Sequence, residues 1–263
     1  MINELKRLGK SVVGAVKGGD YPGLIRMGAV DRPHYAYIVW QAADLARRLG
    51  VPRISVLEFG VAGGRGLLNL EMHAAKVGAL TGVGIDVYGF DTGEGLPPPE
   101  GYRDLPYVWQ AEHFKMDQAA LKAKLTTAKL VLGNVRQTLP GFAASHAPAP
   151  IGAVSFDLDY YSSTVDALKV FEVPAEHRLP RIFNYFDDIY SSDLGHVGPG
   201  TGVPLALAEF NAANPTRCLG QLTHLEFEYS PAKKWHRQIY SFADFTHPQH
   251  DQYIVGRDRQ LSL

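Results

Sequence analysis

Short apolar runs alternate along the chain with segments whose apolar residues recur at helical spacing. The first run covers residues 53–59, and similar runs cover residues 83–90, 129–134, 152–156 and 181–186. Apolar runs of about four to eight residues that end in glycine, proline or polar clusters are typical of buried strands. Because helical segments separate these runs, consecutive strands should pair in parallel. The pattern therefore predicts an α/β fold.

Helical spacing is clearest in residues 33–49, where the pattern stops at Gly50-Val51-Pro52. A glycine followed closely by a proline is a typical end of a helix. Another helix should begin after the glycine-rich loop that follows the first strand. Further helices are expected over residues 114–127, 163–171 and 205–212.

The end of the chain carries two alternating runs, residues 222–229 and 235–242. They predict an antiparallel hairpin that closes the sheet. The expected architecture is thus a doubly wound, mostly parallel seven-stranded sheet with a C-terminal antiparallel hairpin. Residues 1–30 are expected to be an N-terminal extension, helical or disordered, and residues 31–263 a single domain.

Composition narrows the class of protein. The 26 Lys and Arg residues nearly balance the 27 Asp and Glu residues, and the formal net charge of -1 favours neither nucleic acid nor an anionic membrane as a partner. No apolar run approaches the roughly 18 residues of a membrane span. The single cysteine, Cys218, excludes an intramolecular disulfide framework and is expected to be a half-buried apolar side chain. We therefore expect a cytoplasmic protein.

A glycine-rich loop follows the first predicted strand directly. Glu58 ends the strand, and Gly60, Gly64 and Gly66 fall in the next eight positions. Glycine reaches positive φ at low cost and has no Cβ, so backbone N–H groups can approach a ligand closely. A strand-to-helix junction of this kind is where doubly wound sheets bind cofactors, although the loop alone also fits a plain turn.

The loop differs from a dinucleotide-binding fingerprint. The closest match to G-x-G-x-x-G runs from Gly64 to Asn69 and lacks the third glycine. An acid just before the turn, as at Glu58, suits a ligand with an ammonium group or ribose hydroxyls. S-adenosylmethionine carries both.

Acidic residues end two later strands. Asp157 and Asp159 follow the run that ends at residue 156, and Asp187 and Asp188 follow the run that ends at residue 186. Because parallel strands end at the same edge of a sheet, these carboxylates should gather there and face the glycine loop. An Asp-Asp pair by itself also fits a helix cap or a turn.

Several motifs stand in a fixed order over about residues 50–215. They are Glu58-Phe59-Gly60-Val61, Phe90-Asp91-Thr92-Gly93-Glu94-Gly95-Leu96-Pro97, Thr138-Leu139-Pro140, Asp157-Leu158-Asp159-Tyr160-Tyr161-Ser162-Ser163-Thr164 with Ala167-Leu168, and Asp187-Asp188. This array resembles the macrocin O-methyltransferase (TylF-type) family. The resemblance implies a class I methyltransferase fold, S-adenosylmethionine as cofactor, a divalent cation that is usually Mg²⁺, and a hydroxyl acceptor, often on a sugar of a natural product.

The resemblance also implies roles in cofactor binding. Glu58, Gly60 and Gly64 would line the methionine end of the cofactor, and Gly66 belongs to the same loop. Asp91 would accept hydrogen bonds from the ribose hydroxyls, with Asp86 as the alternative if the second strand ends early. Asn134 would contact the adenine side, unless it serves only as a turn residue.

The family's metal ligands match Asp157, Asp187 and Asp188. Hard carboxylate oxygens are the ligands that Mg²⁺ prefers. Asp159 could replace Asp157, but Asp157 directly ends its strand whereas Asp159 already lies in the following loop. Asp157 and Asp187 are the expected catalytic residues, with Asp187 receiving the proton of the acceptor hydroxyl.

The chain departs from the family pattern at two places. Arg65 stands where a small residue is common, and residues 173–180 form a longer link that puts the metal geometry in question. His196, on a loop after the acids, could contact a substrate or could simply be exposed. No role is assigned to the aromatic residues near the acids, Tyr160, Tyr161, Tyr185, Phe186 and Tyr190.

Two other functions compete with methyl transfer. A nicotinamide-dependent oxidoreductase would use the loop from Gly64 to Asn69 with Asp86 on the ribose, but it leaves the acid cluster unexplained. A non-catalytic protein would retain cofactor binding without turnover. The expected partner is a small molecule with a hydroxyl that accepts the methyl group. The sequence leaves open the identity of this acceptor and whether the protein forms a homo-oligomer.

Overall fold

Seven strands form one sheet in the computed structural model, which describes residues 20–229 and 231–256. The expectations for residues 1–19 lie outside the described residues. The strand order across the sheet is β3-β2-β1-β4-β5-β7-β6. The strands are β1 Arg53–Phe59, β2 Gly84–Asp91, β3 Lys129–Leu132, β4 Ile151–Phe156, β5 Arg178–Phe186, β6 Arg217–Gln221 and β7 Ile239–Asp244.

The first five strands are parallel, and β7 is antiparallel to both of its neighbours. From β1, the chain builds outward to β2 and β3 on one side and to β4 and β5 on the other. The predicted fold class, a doubly wound and mostly parallel seven-stranded sheet with antiparallel C-terminal strands, is confirmed. Such a sheet binds ligands outside the carboxyl ends of the strands where the order reverses, which here is between β1 and β4.

Helices cover both faces of the sheet. They are α1 Tyr21–Arg26, α2 Pro33–Leu49, α3 Arg65–Thr81, α4 Gln118–Lys122, α5 Val135–His146, α6 Tyr161–Leu168, α7 Gly202–Ala213 and α8 Leu225–Glu228. The helix predicted over residues 33–49 is confirmed, as is the helix after the glycine loop. None of the described helices is both long and apolar enough to cross a bilayer.

Each central strand contributes side chains to two hydrophobic cores, one on each face of the sheet. Val56 of β1 and Ala153 of β4 face the α1, α2 and α3 layer, whereas their neighbours Leu57 and Val154 face α5, α6 and α7. Alternate side chains of a strand point to opposite faces, so a strand buried on both sides must be apolar throughout. This is why uninterrupted apolar runs identify these strands. Tyr21 of α1 is buried in the first of these cores. The domain boundary predicted at residue 30 stays a prediction.

The prediction of a strand over residues 222–229 is wrong. The edge strand β6 lies earlier, where the Asn211 side chain of α7 bonds to the N–H and C=O of Leu219 at 2.8 and 3.0 Å. The apolar residues Leu222, Leu225 and Tyr229 are three and four positions apart, which is helical spacing, and α8 occupies this segment. The final strand β7 begins at residue 239, after a 3₁₀ helix, and not at residue 235 as predicted. The closing pair of strands is antiparallel as expected, but it is formed by β6 and β7.

A helix was predicted over residues 114–127, but the observed helix α4 is much shorter and covers only Gln118–Lys122. Phe114 has φ +64°, outside the helical region, and the Asp117 side chain caps the helix by accepting a backbone N–H at 2.9 Å. Beyond the helix, Glu71 of α3 accepts the N–H groups of residues 126–128 and fixes an extended path into β3.

A buried ion pair joins β5 to β7 at the edge of the sheet remote from the glycine loop. The Arg178 guanidinium donates to the Asp244 carboxylate, and the two side chains are only 3% and 2% exposed. Asp244 also accepts the N–H of Thr246 at 2.9 Å. Removing the charge of Asp244 would leave Arg178 buried without a counterion.

We expect Asp244→Asn to lower the free energy of unfolding by about 3–5 kcal/mol, measured by urea denaturation. The matched control is Asp86→Asn, which breaks an ion pair with Arg53 at 2.8 Å. In this pair the Arg53 side chain is 57% exposed and the Asp86 side chain is 33% exposed. Solvent screens such a pair, and its loss should cost about 1 kcal/mol or less. Equal losses in the two variants would contradict the importance of burial.

Candidate active site

A cavity of about 490 Å³ lies at the carboxyl ends of β1, β2, β4 and β5. This volume is in the range of about 300–1,000 Å³ that is typical of small-molecule sites. It is located at the point where the strand order reverses. The predicted site residues on its wall are Glu58, Gly60, Gly66, Asp91, Asn134, Asp157, Asp187 and Asp188.

The glycine loop approaches its neighbours too closely for side chains. At Gly60, φ is +86° and an added Cβ would lie 1.7 Å from the backbone oxygen of Asp157. At Gly66, an added Cβ would lie 1.9 Å from Oε1 of Glu58. Gly64 is an exception to the prediction, because it packs against Leu121 and is not among the residues that line the cavity. Its φ of +82° instead lets the loop turn into α3.

Glu58 is buried at the end of β1, with 1% of its surface exposed. The Tyr35 hydroxyl donates to its Oε1 at 2.7 Å, whereas Oε2 has no hydrogen-bond partner among the described residues. Burial raises the pKa of Glu58 to about 8. A buried carboxylate oxygen without a partner is costly, so this wall of the cavity suits a cationic ligand group.

Asp91 ends β2 and holds the glycine loop in place. Its Oδ2 accepts the N–H groups of Val61 and Ala62, both at 2.8 Å, and its Oδ1 accepts the N–H of Gly93 at 2.6 Å. The alternative residue, Asp86, lies in the first half of β2, pairs with an arginine and does not line the cavity. Of the two candidate ribose acids, only Asp91 reaches the cavity.

Asn134 has a structural role in addition to its place on the cavity wall. Its side chain caps α5 by accepting the N–H of Arg136 at 2.9 Å, and the residue also lines the cavity. The cap and the cavity wall therefore coincide at the end of β3.

The backbone ladder brings the acidic strand ends together. The N–H of Asp157 donates to the carbonyl of Phe59 at 2.9 Å, and the N–H of Asp187 donates to the carbonyl of Phe156 at 3.0 Å. These bonds continue the pairing of β1, β4 and β5 by one residue. As a result, carboxylate oxygens of Asp157, Asp187 and Asp188 lie within 4.8 Å of one another, which is the predicted set.

The longer link over residues 173–180 does not disturb this arrangement. The link enters β5 at Arg178, the opposite end of the strand from Asp187. Asp159 lines the cavity but is outside the group of three, so the geometry favours Asp157 over Asp159 as a ligand.

The acids repel one another strongly. Burial, followed by the charges of Asp188 and Asp187, raises the pKa of Asp157 well above its usual range. The same causes raise the pKa of Asp159 to about 8, and burial with the charge of Asp187 raises that of Asp188 to about 6. Three close carboxylates offer the hard oxygen ligands that Mg²⁺ or a similar divalent cation prefers. The charge of such a cation would relieve the repulsion among them.

Neighbouring groups already orient the cluster. The Tyr185 hydroxyl donates to Oδ1 of Asp187, and the Gln238 side chain donates to the Asp187 carbonyl at 2.7 Å. Oδ2 of Asp188 accepts the N–H of Asp159 at 2.9 Å. Support of this kind holds ligands in place before a cation binds.

Part of the cavity wall comes from segments that carry no recognisable motif in the sequence. Arg32 and Tyr35 reach the cavity from the start of α2, and Trp109 and Phe114 reach it from the loop after β2. Helical spacing places Tyr35 on a buried face, but no local motif signals that this face meets a ligand. Arg65, noted above as a departure, lies on the cavity wall and is exposed.

The remaining candidates lie around the site without joining it. His196 does not line the cavity, and its backbone N–H donates to the Tyr107 hydroxyl at 3.0 Å. Of the aromatic residues, Tyr160 and Phe186 are buried in the protein, and the Tyr190 ring lies 5.3 Å from Nζ of Lys234. Cys218, in β6, is partly buried as expected.

No protein-family model matches the sequence, and no curated protein matches it. Solved structures do resemble the fold. CalS11, a calicheamicin methyltransferase, is 20% identical with a TM-score of 0.54, and the match covers 91% of each chain. The O-methyltransferase NovP is 14% identical with a TM-score of 0.54, over 81% of this chain and 80% of NovP. The chain has the class I methyltransferase fold.

We expect Mg²⁺ or Mn²⁺ to raise the melting temperature of the protein by several degrees, because a cation that binds only the folded state stabilises it. Thermal unfolding with increasing metal, and again with excess chelator, measures the shift. Asp157→Asn and Asp188→Asn should abolish it, whereas Asp86→Asn, outside the cavity, should retain it. A shift that survives in the first two variants would place the cation elsewhere.

Proposed function

We propose that the protein is an S-adenosylmethionine-dependent O-methyltransferase, assisted by Mg²⁺ or another divalent cation, that methylates a hydroxyl of a small molecule. One observation carries the proposal. Glu58, one of whose carboxylate oxygens has no hydrogen-bond partner among the described residues, lines the same cavity as the cluster of three aspartates, at the ligand-binding edge of a class I methyltransferase fold. The first feature suits a cationic cofactor, and the second suits a metal ion beside it.

The cofactor's groups match the wall of the cavity in order. Glu58 would accept a hydrogen bond from the methionine ammonium, and the loop at Gly60 leaves room for the backbone to approach the ligand. Asp91 would accept a hydrogen bond from a ribose hydroxyl. Each carboxylate oxygen can accept two hydrogen bonds, and Oδ1 of Asp91 accepts only one among the described residues. Asn134 would lie toward the adenine.

In the proposed reaction, the acceptor oxygen forms a bond to the methyl carbon as the carbon–sulfur bond breaks, and S-adenosylhomocysteine leaves. A divalent cation bound by the aspartates would lower the pKa of the acceptor hydroxyl. We assign the proton to Asp159 in place of Asp187. Asp187 belongs to the cation cluster and already accepts from Tyr185, whereas Asp159 faces the cavity outside that cluster.

Two structurally similar proteins support this proposal. CalS11 is a methyltransferase of calicheamicin, and NovP is an O-methyltransferase. Together with the motifs shared with macrocin O-methyltransferases, they favour a hydroxyl on a sugar or another natural product as the acceptor. A cytoplasmic location agrees with the single cysteine.

The proposed function predicts saturable binding of S-adenosylhomocysteine in isothermal titration calorimetry. Asp91→Ala should weaken it by about 10- to 100-fold, because the substitution removes an acceptor for the ribose and also releases the loop at Val61 and Ala62. NAD serves as the matched control ligand and should show no binding. Binding of NAD without binding of S-adenosylhomocysteine would instead support an oxidoreductase.

Affinity should also depend on pH through Glu58. With a pKa of about 8, its carboxyl group is mostly protonated at about pH 6, whereas an ammonium ligand needs the ionised form. The affinity for S-adenosylhomocysteine should therefore rise up to roughly tenfold per pH unit from about pH 6 and level off above about pH 8. In Glu58→Gln this rise should be lost. A variant that keeps the full pH dependence would assign the titration to another group.

A further inference from the structure

Two arginines line the cavity. Arg32 is the last residue before α2, and Arg65 is the first residue of α3. No ion pair between Arg32 and a carboxylate is formed within the part of the chain that the structure describes. A cavity wall with a positively charged group close to an acid calls for a ligand that carries both charges.

The surroundings of Arg32 place its charge next to Glu58. Its guanidinium carbon lies 5.3 Å from the ring centre of Tyr35, and the hydroxyl of that same tyrosine donates to Glu58. One tyrosine therefore contacts both the arginine and the acid. Burial raises the pKa of Glu58 and the charge of Arg32 opposes that rise, which agrees with their proximity. Arg65 is exposed and has no comparable contact with Glu58.

The backbone at Arg32 is unusual for an arginine. Its φ is +41° and its ψ is 66°, in the left-handed region that side chains other than those of glycine, asparagine and aspartate rarely adopt. The carbonyl of Arg32 accepts the N–H groups of Tyr35 and Ala36 at 2.9 and 3.2 Å, so the first turn of α2 holds this conformation. Strained positions of this kind cluster where a side chain must face a ligand.

The amino-acid end of S-adenosylmethionine carries an ammonium and a carboxylate on the same carbon atom. Glu58 supplies the partner for the ammonium and leaves the carboxylate without one. A guanidinium is well suited to that role, because its planar fork can donate two parallel hydrogen bonds to a carboxylate.

Resting on the proposed function, we infer that Arg32 binds the α-carboxylate of the cofactor while Glu58 binds its α-ammonium. The pair selects ligands that carry a free amino-acid group over those that carry only the adenosyl thioether. Arg32 is in this sense a specificity-determining residue, located about 26 positions before Glu58 in the chain and outside the glycine loop.

The test compares two ligands by calorimetry. S-adenosylhomocysteine has the amino-acid group, and 5′-methylthioadenosine is the same adenosyl thioether without it. In the wild-type protein, S-adenosylhomocysteine should bind at least about 100-fold more tightly. Arg32→Asn, which tolerates the left-handed backbone, should lose about 10- to 100-fold for S-adenosylhomocysteine and stay within about twofold for 5′-methylthioadenosine.

Two further variants make the result specific. Arg32→Lys keeps the charge but not the fork, and should recover part of the affinity. Arg65→Gln removes the other cavity-lining arginine and should leave both ligands within about twofold of the wild-type affinities. Melting temperatures confirm that each variant is folded.

The contrary outcomes separate the two proposals. An equal loss for both ligands in Arg32→Asn, no loss, or a loss in Arg65→Gln instead would overturn the role of Arg32 and leave the proposed function intact. Failure of the wild-type protein to bind either ligand would contradict the proposed function and this inference together.

Discussion

Repulsion among acidic groups is the constraint on which the rest of the site depends. Asp157, Asp159, Asp187 and Asp188 share one partly buried edge of the sheet, and Glu58 lies close enough to add to the charge. A protein would not gain stability from this crowding, because each added negative charge in a desolvated site opposes the others. The arrangement is favourable only when positive charge enters. Under the proposed function, a metal ion and a cationic cofactor in the same cavity would supply it.

One line of contacts joins Glu58 on one side of the cavity to Asp187 on the other. Tyr35 donates to Glu58 and packs edge to face against Tyr185, with ring centres 5.7 Å apart. Tyr185 in turn donates to Asp187 and stacks on His34 at 4.3 Å. Aromatic rings locked by packing hold the two acids at a fixed separation. A reaction that needs donor and acceptor in line benefits from such rigidity.

The sequence predicted those parts of the fold in which one physical cause dominates. Strands β1, β4 and β5 are buried on both faces, so their apolar runs identify them, and the acids that follow them must meet because parallel strands end together. Where weaker causes compete, prediction failed. Strand β6 lies at the sheet edge with few buried residues, and α5, for which no helix was predicted, contains Pro140. Neither gives a clear periodic signal.

The candidate site divides in the same way. Residues next to strand ends, such as Glu58 and Asp157, could be predicted because their position in the sheet follows from their position in the strand. Gly64 could not be separated from Gly60 and Gly66, since its contact with Leu121 depends on how α4 packs. Arg32 reaches the cavity from before α2, and only tertiary packing places it there.

The most direct measurement is a crystal structure of the protein with S-adenosylhomocysteine and Mn²⁺, with the metal located by anomalous scattering. We expect an anomalous peak coordinated by Asp157, Asp187 and Asp188, with the amino-acid end of the ligand against Glu58 and its sulfur facing the metal across the same cavity. Ligand bound in the cavity with no metal at these aspartates, or metal and ligand at separate sites, would contradict the central claim.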